Sequence, residues 1–359
     1  MWSNARADAA HRELVALQGS GLDVDMIHEE SLAIVATVVP FDAACMGAVD
    51  PETLALTSGV TVGFEPSAAE SDRFTELEYG TYDTSSFASL VDQRITVAHD
   101  PLAPIRRRGA RFNELSRALG FTTEVRMTFM VDGDCWAVGD VYRGGPSRDF
   151  DERELAFLRT ANVAVAAATR AAMTTGVRGA GAAASGASPD GPAVMIVSSA
   201  GEVRSMTGAA DDWLHALSPA DAARARQALT CLVALVAAGM PAAHARARIG
   251  RGWVVVRAST LATPTARAER TSTVPAGTDI VVTIDAATRP DLVELMVRAH
   301  GLSRRERDVV HEVLAGRSTV DIAQQLFIST NTVQDHLKSI FAKTGMRTRR
   351  DLVAHLGAA

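Results

Sequence analysis

Leu302 to Gly345 reads LSRRERDVVHEVLAGRSTVDIAQQLFISTNTVQDHLKSIFAKTG, and its local signals agree over several short helices. Ser303-Arg304-Arg305-Glu306 is a capping box, in which the Ser303 hydroxyl takes the N–H of Glu306 and the Glu306 carboxylate takes the N–H of Ser303. Val309, Val310, Val313 and Leu314 form the apolar face behind it, and Gly316 ends the helix. Ser318 or Thr319 caps a second helix that turns Val320, Ile322, Ala323 and Leu326 inward. Phe327-Ile328 is a tight turn. Ser329 caps a third helix, Thr330 to Thr344, with Val333, Leu337, Ile340 and Phe341 as its buried stripe and Gly345 at its stop. Thr348 caps a fourth helix that ends around Leu356.

Two short helices joined by a tight turn, the second longer and polar on one side, form the plan in which the second helix enters a DNA major groove. At 1.5 Å per residue that helix is about 22 Å long. Asn331, Gln334, Asp335 and Lys338 share the face opposite the apolar stripe. Asn and Gln can read adenine, Asp can accept from cytosine N4, and Lys reaches guanine or a phosphate. Ser329, Thr330 and Thr332 offer hydroxyls and unpaired N–H groups to a phosphate at the positive end of the helix dipole.

Leu302-Ser303-Arg304-Arg305-Glu306, Asp321-Ile322-Ala323, Thr332 through Ile340 and Lys343-Thr344-Gly345 closely resemble the LuxR-type (GerE-like) DNA-binding domain. The resemblance implies a four-helix, all-α domain over residues 300–359. Carried over by position, Gln334, Asp335 and Lys338 match base-facing sites, while Thr332, Lys343 and the flanking hydroxyls match backbone contacts or structural support. Asp335 departs from the many members that carry an apolar or neutral residue there. The fourth helix of the family often makes the dimer contact, which Leu352, Val353 and Leu356 would supply here. His336 falls beside Val333 and Ile340 in register, leaving a boundary position and a phosphate contact both open. Lys343 could instead pair with Glu306.

Charge follows the same division. Formal net charge is −10 over residues 1–178, +1 over 179–299 and +3 over 300–359, so only the C-terminal piece suits a polyanion. Lys338 and Lys343 are the only lysines, which removes a Lys-dependent phosphate loop and Schiff-base chemistry from everything upstream. Cys45, Cys135 and Cys231 stand far apart and form neither a disulfide framework nor a C-x-x-C pair, so reduced, buried thiols are expected. No two of the nine histidines lie within three to five positions, so no local metal motif exists.

Upstream, 359 residues are enough for two or three domains. Helical spacing from Glu13 to Val39 predicts an opening helix or two, broken near Gly19-Ser20-Gly21. Strands follow at 43–49 and 54–62, then a hairpin of 124–131 and 135–142 around Asp132-Gly133, then a long helix from about Asp151 to Met173. This order, with Phe150-Asp151-Glu152-Arg153-Glu154-Leu155 leading into the last helix, resembles a GAF domain over residues 1–173. Residues 174–192 are nearly all Gly, Ala, Ser, Thr and Pro and predict a flexible linker. From Val194-Met195-Ile196-Val197 through two helices to strands at 245–249, 253–259 and 279–284, residues 193–299 resemble a PAS domain. Both resemblances imply α+β sensory modules, so a small-molecule ligand in either one and dimerisation are the roles to expect. Trp136, Trp213 and Trp253 read as core.

These expectations describe a sequence-specific transcriptional regulator, not an enzyme, with double-stranded DNA as partner, a homodimer as working form and RNA polymerase as a further open partner. No cofactor and no metal is evident. Early charges (Arg6, Asp8, Arg12, Glu13) and the shortness of the run from Ala228 to Ala243 point to no secretory leader, no membrane span and a cytoplasmic location. The alternative is a signalling or sigma-factor-like protein whose helix-turn-helix makes protein contacts.

Overall fold

The computed structural model describes residues 3–80, 84–99, 109–145, 149–175, 190–249, 252–261 and 278–356. Helices α1 (Asn4–Ala16) and α2 (Val24–Ala36) are separated by a short tight turn, Leu17–Gly19, where the glycines fell. Asp23 caps α2 by accepting from the Met26 N–H. Strands β1 (Ala43–Ala48), β2 (Val60–Val62), β3 (Val97–Ala98), β4 (Phe121–Val131) and β5 (Asp134–Gly144) form an antiparallel sheet in the order β2-β1-β5-β4-β3. The strand expected from Leu54 shortens to Val60–Val62: Leu54 takes a left-handed backbone, φ 59°, and Leu56 alone bridges to Val49. The β4–β5 hairpin turns as read, with Asp132 and Gly133 at φ 53° and 88°, the pair of positive values that a two-residue hairpin loop needs. Helices α3 (Ala68–Tyr79) and α4 (Phe87–Asp92) were not anticipated, although Ser67 and Glu70 form a full capping box. Helix α5 (Glu152–Thr175) lies with α1 and α2 over one sheet face, burying Leu14, Leu32, Met127, Phe129, Leu158 and Val165 together.

A second sheet repeats this plan. Strands β6 (Ala193–Ser198), β7 (Val203–Met206), β8 (Ala242–Ile249), β9 (Gly252–Thr260) and β10 (Asp279–Ala286) stand in the order β7-β6-β10-β9-β8, position for position the order of the first sheet. Helices α6 (Gly208–Ala216) and α7 (Pro219–Ala237) cover one face over a core of Val197, Trp213, Leu232, Val236, Val254 and Ile280. That core runs on into Val49, Leu56, Phe87 and Leu90 of the first unit. Beside it Arg246, 2% exposed, meets the wholly buried Asp50 carboxylate through its Nε (2.8 Å) and Nη2 (2.6 Å). Residues 176–189, most of the expected linker, lie outside the described residues.

Helix α8 (Arg289–Ala299) serves two cores. Leu292 and Leu295 pack with Trp136, Met173 and Trp253, while Val297 joins Leu302 inside the C-terminal helices. These are α9 (Arg304–Leu314), α10 (Thr319–Gln325), α11 (Thr330–Thr344) and α12 (Arg349–Leu356). The three tryptophans expected in cores, Trp136, Trp213 and Trp253, are all buried.

Candidate nucleic-acid interface

Each C-terminal helix starts where its cap dictates. Glu306 N–H donates to Ser303 Oγ (3.3 Å) and Ser303 N–H returns to Glu306 Oε2 (2.6 Å). Ser318, not Thr319, caps α10, and Asp321 closes the same reciprocal box. Ser329 Oγ accepts from Thr332 N–H at 3.1 Å and sets the first turn of α11. Val309, Val310, Val313, Ile322, Val333, Leu337 and Ile340 are then buried in one cluster, which turns the opposite side of α11 to solvent.

On that side Ser329, Thr330, Asn331, Thr332, Gln334, Asp335 and Lys338 are all exposed. The structure thus brings together seven of the eight residues read as DNA contacts. Lys338 Nζ lies 3.1 Å from Asp335 Oδ1, with the two side chains 77% and 74% exposed. A pair so exposed holds weakly, so Lys338 can exchange its partner for a base or a phosphate and Asp335 its partner for a base amino group. It also offsets the Asp335 carboxylate that the sequence flagged as unusual.

Lys343 takes the alternative role. Its Nζ is 2.7 Å from Glu306 Oε2, and Ser339 Oγ donates to Glu306 Oε1 at 2.6 Å. Burial disfavours the charged carboxylate, but the Lys343 ammonium, the Ser339 hydroxyl and the Ser303 N–H outweigh it and hold Glu306 down at about 2. Lys343 therefore ties α11 to α9. His336 is half-buried, at the boundary of the core.

The dimer contact read from the last helix needs correction. Leu352 and Leu356 are 0% and 1% exposed because α12 folds back onto α8 and α9, and both side chains complete the core of their own chain. Only Val353 keeps partial exposure. Sequence reasoning missed Arg349, whose guanidinium donates to the Arg317 carbonyl (3.0 Å) and to Thr319 Oγ1 (3.2 Å), tying α12 to the start of α10. Phe327, read only as part of a turn, is 94% exposed with φ 55°.

Two of the larger cavities among the described residues lie upstream. The first, about 350 Å³, opens between β1, β5, α3 and α7 and is walled by Phe64, Phe121 and Tyr142, the last two stacked with centroids 4.8 Å apart. Beneath it Arg126 pairs with Asp140 and Glu78, both at 2.9 Å, and Arg111 with Glu124 at 2.7 Å, all within the protein. No local motif announces this network; its members are gathered from four parts of the chain. The second cavity, about 590 Å³, lies under the second sheet against Met195, Trp213, Leu229, Val233 and Ile284, with α3 as an outer wall.

Among the described residues, Asp50, Glu52 and His244 bring three ligand atoms close together. Arg246 stands in their midst and pairs with both carboxylates, so the charge that would attract a cation is already met. A hydrogen bond from His244, helped by Arg246, holds Glu52 down at about 2. Burial, reinforced at Cys45 by the Asp140 carboxylate, pushes the Cys45 and Cys135 thiols up to about 12, and burial pushes Cys231 up to about 11.

Residues 300–356 match the family described as "Bacterial regulatory proteins, luxR family". They form a LuxR-type helix-turn-helix domain. An HTH-type transcriptional regulator of Mycobacterium tuberculosis is 50% identical over 52 residues, which is 14% of this chain and 6% of that protein. The monoamine regulon transcriptional regulator of Klebsiella aerogenes is 47% identical over 53 residues, 15% of this chain and 23% of the relative. The matched stretch thus spans less than a quarter of either relative. Among solved structures, the GAF domain of an Acinetobacter phosphoenolpyruvate-protein phosphotransferase aligns with 49% of this chain and 97% of its own, at 19% identity and a TM-score of 0.35.

Proposed function

We propose that this chain is a sequence-specific, DNA-binding transcriptional regulator in which α11 reads the major groove. The observation that carries this reading is the exposed row Asn331, Gln334, Asp335 and Lys338 on a helix whose other side is locked into a capped, closely packed core. Ser329, Thr330 and Thr332 would meet the phosphate at its N-terminus. Lys343 then acts through Glu306, holding the reading helix against α9.

The upstream units take a sensory role in this reading: GAF-like over 1–173 and PAS-like over 193–299, joined by 174–192 and followed by the reader at 300–359. Support comes from their common strand order and from the cavity each one carries. A small molecule held in either cavity, a homodimer assembled through the upstream units, RNA polymerase as a later partner and a cytoplasmic location complete the proposal, with no catalytic step assigned. Among the described residues no helix is long and apolar enough to cross a membrane.

The test is selection of duplexes from a random pool by the full chain. One sequence class should be enriched, and Gln334→Ala should relax preference at one position while Lys338→Ala weakens binding across sequences. Enrichment of no class, or unchanged preference and affinity in both variants, would overturn the reading.

A further inference from the structure

One hairpin touches both ends of the molecule. Along β5, Val138, Gly139 and Tyr142 line the 350 Å³ cavity; at the other end of the same strand, Asp134 faces the DNA-reading unit. Asp134 is 5% exposed and its two oxygens are divided between two helices: Arg298 of α8 donates to Oδ1 and Arg307 of α9 to Oδ2, each at 2.6 Å. The contact is extended on both sides. Arg298 also pairs with Glu294 at 2.7 Å, and Glu294 with His311 of α9 at 3.0 Å. Asp132, in the hairpin turn, takes Arg170 at 2.6 Å and lies against the turn between α8 and α9. A Cβ at Gly301, itself at φ 64°, would stand 2.5 Å from Asp132 Oδ2, so a larger residue there would push the Asp132 carboxylate aside besides straining the backbone. Trp136, two residues along β5, is fully buried against Leu292 and Leu295.

We propose that Asp134 is a positioning residue for DNA reading: its fork fixes the orientation of α9, and through α9 that of α11, relative to the β4–β5 hairpin. The proposal rests on the reading of α11 given above. Because the row Asn331, Gln334, Asp335 and Lys338 is exposed while the fork is closed, the docked arrangement presents the reader and does not cover it. An opened fork loosens the hairpin's hold on α8 and α9, and the C-terminal helices packed on α8 gain motion relative to the hairpin. Binding then has to restrict that motion, and events at the DNA no longer reach the hairpin. Coupling is reciprocal, so a duplex on α11 is felt at the hairpin as surely as a change at the hairpin is felt by α11.

The experiment uses the full chain and the duplex it selects from a random pool. Amide exchange of residues 121–144 is compared with and without saturating duplex in the wild type, Asp134→Asn, Asp134→Glu and Lys338→Ala. Asparagine keeps the size of the side chain and loses its charge; glutamate keeps the charge. Duplex should slow exchange in the hairpin of the wild type. In Asp134→Asn the response should vanish, with affinity several-fold lower and the response within 304–344 intact, and Asp134→Glu should regain part of it. Lys338→Ala should bind more weakly yet still transmit once saturated. A hairpin that responds in Asp134→Asn as in the wild type, or does not respond in the wild type, overturns the positioning role while leaving DNA reading in place. Failure of the wild type to select any duplex takes down both.

Discussion

The C-terminal helices and the seam between the two sheets are both held by buried carboxylates, but the two are encoded differently. Glu306 finds Ser303 three residues away and then collects Ser339 and Lys343 from a helix that the same short segment places opposite. Asp50 finds its partner, Arg246, at a separation of 196 residues. The first arrangement starts from a capping box that a reader of the sequence can name, and it gains Ser339 and Lys343 once α11 packs on α9. The second exists only once two sheets have folded and met. Local rules therefore specify the reader, and long-range assembly specifies what holds it.

The largest effect should come from the seam. Asp50→Ala leaves the Arg246 guanidinium buried without its main partner and should cost about 3–5 kcal/mol. Calorimetry of the full chain should show the two sheet units losing stability together while 300–356 is spared; a loss confined to the first sheet would show that the seam carries little. Leu352→Ala comes next, at about 2–4 kcal/mol, because the side chain is fully buried within its own chain. Sedimentation of that variant should give the wild-type oligomeric state, whereas selective loss of a dimer would restore the contact role that burial argues against.

Acid should then probe the Glu306 cluster. Glu306 is held at about 2 against an ordinary 4.5, so its contribution is complete above pH 4.5 and is lost as pH falls toward 2. Unfolding of 300–356, followed by tertiary signals over that window, should show up to about 3 kcal/mol of pH dependence that Glu306→Gln abolishes. An unchanged slope in the variant would detach Lys343 from the fold and return it to the DNA face. The same sign holds at higher pH for His28, which burial lowers to about 4 despite Asp25 and Asp23. It stays neutral inside the first unit while the unfolded chain takes up protons, so that unit should lose stability as pH falls from about 6.5 to 4. Denaturant midpoints for His28→Gln, flat across that range, would check it.

The smallest stability effect belongs to the reading face. Lys338→Ala breaks only an exposed pair and should change stability by less than about 0.5 kcal/mol. Its duplex affinity should nevertheless fall, with the salt dependence reduced by about one phosphate contact. Equal losses of stability and affinity would mean that Lys338 is structural.

What could be read without coordinates shares one physical property, short range. The Asp132-Gly133 hairpin, the Ser303, Ser318 and Ser329 caps and the polar row of α11 each depend on residues within a few positions. A cap and a turn are satisfied before anything distant arrives. The capping box of Ser67 and Glu70 is equally local. Leu352 and Leu356 show where such reading ends: a helix face that is apolar can meet its own chain or another, and periodicity alone does not distinguish them. Arg126 and Asp140 show it again, since alternating charge along a strand looks like a solvated face until a second layer covers it. The sequence by itself determined a helix-turn-helix whose helix Thr330–Thr344 carries a row of polar side chains opposite its apolar stripe. Only the tertiary structure decided that two sheets of one plan share a core, that Lys343 belongs to Glu306, and that the reader is docked on Asp134. Those outcomes depend on which surfaces meet after folding, and burial, not spacing, selects the charges that remain between them.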